Sequence, residues 1–327
     1  MAFTITQKVL TLDYWKLAGT IQKGDYVFTK QGQLARVELV QLYRPPQCYE
    51  VTFNDNLSVC GDLKLGLPME TPKYRQRTYQ YQGKYQFRRP LTPFMVGEHL
   101  DTPLRDHRDR LIYSVPTSKP LELPHQFLPV PPWIFGFWYM NRRPNGTMLT
   151  PNGVDTDAFK EHGYTIVPGY KMQNGKREFS TEPSIASQFF PDVITKIPNN
   201  YLLASHEQRM ELLKGIVQGK PNQYNPKKDQ FRITDYHYGT VLQIQGLVES
   251  LGNKSKLLLN EQLKNYTLTF RTRHKLIENQ ASPPIRVHNA RRYITKIVKI
   301  PSEMCVHIET DNPDSSILIG EGFIPCL

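Results

Sequence analysis

Two stretches of the 327-residue chain alternate so that cationic and polar side chains share one side of an extended strand. In residues 266–273, Tyr266, Leu268 and Phe270 fall on one side, and Thr267, Thr269, Arg271 and Arg273 on the other. In residues 230–234, Phe231 and Ile233 oppose Gln230, Arg232 and Thr234. A row of guanidinium, amide and hydroxyl groups at that spacing suits a polyanion, although an ordinary solvated sheet face has the same pattern. Thiol chemistry has less support. Cys48, Cys60, Cys305 and Cys326 are scattered, with no CxxC pair and no clustered zinc ligands. No apolar stretch follows a basic start in residues 1–10, so a secretory signal is not expected and the thiols are expected to be reduced.

The whole composition agrees with a polyanion partner. Lys and Arg number 41 against 30 Asp and Glu, a formal charge of +11, and the pI is about 9.3. Such a field favours nucleic acid, although the basic residues are spread along the chain rather than gathered in a tail. Hydrophobic residues make up 39% and aromatics 11%, enough for packed cores, which argues against disorder. The length suggests two domains. No run of about 18 apolar residues is present, so no membrane span is expected. A soluble protein working inside a cell is the expectation.

The elements that must position these residues change character along the chain. Residues 5–65 read as short strands separated by turn signals such as Lys23-Gly24-Asp25 and Asn54-Asp55-Asn56. Residues 73–124 are basic and Pro-rich and read as a connector. From 125 the pattern turns helical. Pro131-Pro132 opens an apolar run, and Ser205 with Gln208 three residues on makes a capping box for a helix to Gln218. A third helix fits 238–251, with Gly252 as its C-cap. Strands return after 290, at 293–299, 305–310 and 316–320. The order β, α/β, β suggests a middle domain inserted into an outer all-β one.

Several of these segments, in this order, resemble inteins that carry an inserted LAGLIDADG homing endonuclease, especially those interrupting large terminase genes of tailed phages. Residues 9–15, 24–28 and 48–53 are similar to the first splicing blocks, 128–138 to the first LAGLIDADG helix, 197–215 to the lead into the second, and 317–325 to the last splicing block. The resemblance implies an α+β fold. Both chain ends (1–72 and 286–327) form an all-β, horseshoe-like Hint domain, and 125–285 form a two-repeat αββαββα LAGLIDADG-type domain. It also implies that Gly136 and Gly215 sit where the two LAGLIDADG helices cross.

The residues that would carry the family's chemistry are replaced. Splicing needs a nucleophile at the first intein residue, and Ala2 stands there. Gly61 and Lys64 occupy the places of a Thr and a His that polarise the scissile amide. The chain ends in Cys326-Leu327 where the family ends in His-Asn, so Leu327 offers no amide to cyclise. Met1 further suggests a free-standing gene product. The nuclease needs one carboxylate at the end of each LAGLIDADG helix, sharing divalent ions, and Asn141 and Lys220 are found instead. Asp155, Asp157 and Asp229 are near in sequence but off those helix ends. Neither splicing nor DNA cleavage is therefore expected, and no cofactor.

What the resemblance leaves is a saddle of strands of the kind the family lays in the DNA major groove. Gln230, Arg232, Thr234, Thr267, Thr269, Arg271 and Arg273 would form its face, with Lys220 pairing with a phosphate. The expected partner is double-stranded DNA, in the cytoplasm of a phage-infected cell. The alternative is a structural phage virion or packaging component, with the many Tyr and Arg of residues 73–113 as its protein interface.

Overall fold

The computed structural model describes residues 2–72, 92–143, 145–149, 156–171, 177–189, 196–220, 223–272, 274–278, 280, 291–313 and 315–327. Arg273, Asp155 and residues 73–91 lie outside them. The fold is α+β, and the chain divides into two units. One is built from 1–122, 252–256 and 286–327, the other from 123–251 and 257–285.

Both ends of the chain are rich in β-branched and aromatic residues and pair with each other in the first unit. Its 12-stranded sheet runs Ser114–Pro116, Arg291–Ile300, Cys48–Phe53, Ser58–Gly61, Ala2–Thr4, Cys305–Thr310, Leu34–Tyr43, Tyr26–Phe28, Lys8–Thr11, Ile317–Ile319, Ile324–Cys326, with Tyr14–Leu17 pairing off Lys8–Thr11. The first strand lies between strands from both halves of the sequence. Phe3 faces Gly61 on one side and Val306 on the other. Alternation then carries Phe3, Val51, Phe53, Val59, Val306 and Ile308 into one core. Two arginines next to each other on the returning strand are also buried. Arg291 is ion-paired with Glu70, with a second contact of 3.4 Å, and Arg292 Nε lies 2.8 Å from the Asp55 carboxylate.

Residues 92–122 do not form a separate connector. Thr92–Met95 pairs with Gly66–Met69, Ser114–Pro116 pairs with Arg291–Ile300, and Phe94, Val96 and Val115 join the β core. Proline content suggested a linker. The apolar residues between the prolines find strand edges instead.

The second unit is organised around two helices, Pro132–Asn141 and His206–Gln218. Prolines at 131 and 132 start the first, and everything from Ile134 to Met140 is buried. The second has the expected capping box. Ser205 Oγ accepts from Gln208 N at 3.4 Å, and Gln208 Oε1 accepts from Ser205 N at 3.2 Å. The same Gln208 also bonds the backbone of Gln126, which leads into the first helix. Arg209, fully buried, donates to Ala204 O, Ser250 O and Ser250 Oγ, and so caps the carbonyl end of the helix Tyr238–Ser250 with a cation. Leu251 caps the C-terminus of that helix, and Gly252, expected as the cap, follows it at φ +75°, the left-handed conformation that favours glycine after a cap.

The second central helix, Tyr224–Asn225, Gln230–Asp235, the helix Tyr238–Ser250, Ser255–Asn260 and Asn265–Phe270 follow one another in an αββαββ order, and among the described residues no helix closes it as the expected αββαββα repeat would. The four strands form one sheet, ordered Tyr224–Asn225, Gln230–Asp235, Asn265–Phe270, Ser255–Asn260. In the first half, Met148–Leu149, Arg177–Glu182 and Thr165–Lys171 form a three-stranded sheet, with a short helix at Thr156–Glu161.

Candidate functional site at the helix ends and the adjoining strand face

The two central helices approach closely enough that only glycine fits at the crossing. A Cβ on Gly136 would lie 2.5 Å from Leu212 O, and one on Gly215 would lie 2.1 Å from Trp133 O. Backbone is in the way in both cases, so the interhelical distance is fixed by the absence of these side chains. Trp133 adds a polar tie, donating from Nε1 to Gln218 Oε1 at 2.8 Å, and Gln218 Nε2 donates to Leu276 O at 2.7 Å.

The crossing delivers Asn141 and Lys220 to the helix ends, five residues beyond their respective glycines. Asn141 Nδ2 donates to Phe137 O at 2.9 Å and across to Gly219 O at 2.6 Å. Lys220 Nζ is 3.5 Å from Asp235 Oδ2 and 3.5 Å from Thr234 O, and it is half-buried. Asp235 ends the strand beneath and also accepts from His237 N at 2.9 Å. Arg142 stands over the Tyr139 ring with its guanidinium carbon 3.6 Å from the centroid. Burial lowers the Arg142 guanidinium below its usual range, and the neighbouring Tyr139 and Asp235 partly restore it. The fit to a divalent cation is poor. Both helix-end side chains direct N–H groups inward, and N–H groups cannot ligate a metal.

The strand face beside this cluster has the alternation read from the sequence. Phe231, Ile233, Leu268 and Phe270 are buried. Arg232 lies opposite Thr269 and Thr234 opposite Thr267 in the antiparallel register. Arg232 is exposed, while Gln230, Thr269 and Arg271 are half-buried. Three expected face residues differ, the first being Arg271, which lies one residue past the end of the strand Asn265–Phe270. Thr267 is only 6% exposed, and its hydroxyl lies 3.2 Å from that of Thr234, so the two satisfy each other. Lys220 is matched by Asp235 rather than free for a phosphate. The Lys–Asp pair joins residues 15 apart and has no local sequence signal. The turn 226–229 joins the face at the far end of the strand and adds exposed Lys227 and Lys228. It is held by Lys228 N donating to Asn225 Oδ1 and by Tyr224 donating to Asp229. These lysines were missed because they lie outside the alternating runs.

The splicing positions converge in the first unit. Ala2 is buried, and a Cβ on Gly61 would sit 2.4 Å from Ala2 O, so the strand pairing itself demands glycine there. Lys64 is exposed, its backbone N–H bonded to Asp62 Oδ1. Leu327 N donates to Gly66 O at 2.8 Å. Cys60 is half-buried, and its thiol is pushed up to about 12, first by burial and then by the Glu50 carboxylate across the strand pair. Of the Tyr- and Arg-rich stretch 73–113, residues 73–91 are outside the described part. In the rest, Arg105 pairs with Asp109 and Arg110 with Asp106.

No family model matches the chain. The replicative DNA helicase DnaB of Mycobacterium intracellulare is 24% identical over 339 aligned positions, covering 95% of this chain and 55% of that protein. The chain thus spans about half the length of this curated relative. Solved structures similar to it include the Msm DnaB1 intein splicing domain bound with zinc, at 23% identity over 21% of this chain and 55% of that one, TM-score 0.20. The gp41-1 intein is 17% identical over 34% and 73%, TM-score 0.23. Mesophilic variants of the homing endonuclease I-DmoI are 12% identical over 44% and 89%, TM-score 0.31. The chain is similar both to inteins and to LAGLIDADG homing endonucleases.

Proposed function

We propose that this protein derives from a phage-borne intein with its homing endonuclease, that it neither splices nor cleaves DNA, and that it binds double-stranded DNA. The observation that carries the proposal is the helix-end cluster. An amide bonded to two carbonyls and an ammonium on Asp235 stand where the resemblance calls for metal-holding carboxylates. Beside them, Gln230, Arg232 and Thr269 line one side of an ordered sheet, and Arg271 follows directly after the strand Asn265–Phe270. Guanidinium and amide groups in such a row pair with phosphates without any reacting group. A methyl group at Ala2 and the exposed ammonium of Lys64 likewise supply neither nucleophile nor neutral imidazole for an acyl shift.

The test is a gel-shift titration on duplex DNA at about 50 mM salt, together with incubation of supercoiled plasmid in Mg²⁺ or Mn²⁺. Binding that weakens steeply with salt, falls at least tenfold in the Arg232→Ala/Arg271→Ala variant, and leaves the plasmid intact is expected. Nicking or linearisation by the purified chain that persists through chromatography would overturn the non-cleaving half. Unchanged affinity in the double variant would remove this face as the site.

A further inference from the structure

The two halves of the inserted unit present sheets whose outward faces differ in charge. In the first half, Thr181 is buried and pairs with Ile166, and Phe179 pairs with Pro168 and with the buried Met148. Glu178, Ser180 and Glu182 therefore lie on the opposite, outward side, in register with Val167 and Thr165. Thr165, Ser180 and Glu182 are exposed, and Glu178 is ion-paired with Arg143. The exposed Lys171 lies beyond a register shift, opposite Arg177 at the end of the hairpin. Among the described residues, the body of this face holds two carboxylates, Glu178 paired with Arg143 and Glu182 exposed. The second-half face holds Arg232, with Arg271 just past the end of its strand and Lys227 and Lys228 on its turn; the carboxylates at its edges, Asp229 and Asp235, are bonded to Tyr224 and paired with Lys220.

We infer that DNA is gripped on one side only, by the second-half sheet, an inference that rests on the DNA-binding reading above. An exposed carboxylate such as Glu182 aimed at a polyanion is repulsive, and Arg143 is already held by Glu178, so a duplex along the second sheet leaves the first out of contact. The six residues of Gln230–Asp235 span about 20 Å at roughly 3.3 Å per residue. That length matches about 6 base pairs at ~3.4 Å each. Four cations set the salt dependence of the association constant at about −0.9 × 4, or roughly −3.6 log units per log unit of salt.

Fluorescence anisotropy with labelled DNA hairpins, of stems 8, 12, 18 and 24 base pairs, tests this. Affinity is expected to rise from 12 to 24 base pairs only by the roughly threefold given by added registers. The salt slope should lie near −3.6. Glu182→Gln and Ser180→Ala should leave Kd within twofold, while Lys227→Gln/Lys228→Gln should weaken binding and flatten the slope by about 2. A rise of more than tenfold between 12 and 24 base pairs, with a slope steeper than about −6, would overturn the one-sided grip while leaving DNA binding intact. No binding to any stem overturns the DNA-binding reading, and the one-sided grip with it.

Discussion

Asn141 is held more firmly than a solvent-facing amide would be. Its nitrogen is the donor to both Phe137 O and Gly219 O, so its orientation is set by two acceptors that nothing but a donor can satisfy. Restoring an acid by Asn141→Asp is therefore expected to damage the site. An ionised carboxylate would face two carbonyl oxygens, at a cost of about 1–3 kcal/mol at pH 7. The protonated form can still donate to one of them, so the introduced carboxyl has a folded-state pKa raised above its unfolded value near 4. Its favourable contribution is then full below about pH 4 and lost as pH rises through the folded pKa. Denaturant melts of the variant and parent at pH 4 and pH 7 should show the stability gap narrowing on acidification. An equal gap at both values would mean that the two acceptors are not felt. Lys220 teaches the same lesson from the other side, because its ammonium is already matched by Asp235.

At the scale of elements, the paired helices rest on close contact. Overpacking usually costs about 1–3 kcal/mol. Gly215→Ala should reach or exceed the upper end, because its methyl would meet the Trp133 carbonyl oxygen at 2.1 Å and the Phe137 nitrogen at 2.9 Å, both backbone atoms. Gly246, inside the helix Tyr238–Ser250, has nothing within 4 Å of its would-be Cβ. Gly246→Ala should thus stabilise by about 0.5–1 kcal/mol through helix propensity alone. Thermal denaturation of the two variants side by side checks the pair. Similar shifts in the same direction would contradict the tight crossing. Both glycines are interior to helices in the sequence, and only the packing separates them.

Across the whole chain, the β unit is closed by pairing the beginning with the end. Ala2–Thr4 is sandwiched between Ser58–Gly61 and Cys305–Thr310, and Arg291 on the returning strand meets Glu70 in the interior. Removing one partner of a buried ion pair strands the other charge, at about 3–5 kcal/mol. Glu70→Gln should lower the unfolding midpoint accordingly, and Glu70→Met/Arg291→Met should recover much of the loss. A double variant as unstable as the single would show that the pair itself, rather than the stranded guanidinium, supplies the stability. The +11 charge belongs to the same scale. It draws polyanions to the molecule as a whole, while local pairing decides which cations remain available to them.

Alternation along single strands was enough to place Phe231, Ile233, Leu268 and Phe270 inside and Arg232 outside, because the pleat enforces a period of two wherever the strand lies. Ser205 with Gln208, and the prolines before Trp133, likewise declared their helix starts through local hydrogen bonding and fixed φ. The identities of Asn141, Lys220, Ala2 and Gly61 needed no coordinates either. Tertiary structure alone decided that Lys220 meets Asp235, that Asn141 reaches Gly219, that Thr267 turns to Thr234 instead of solvent, and that residues 92–122 complete the β core. It also set Glu178 and Glu182 on one face and Arg232 on another. Each of these depends on groups brought together by sheet register or helix crossing, and such pairings leave no periodic trace in the residues that lie between.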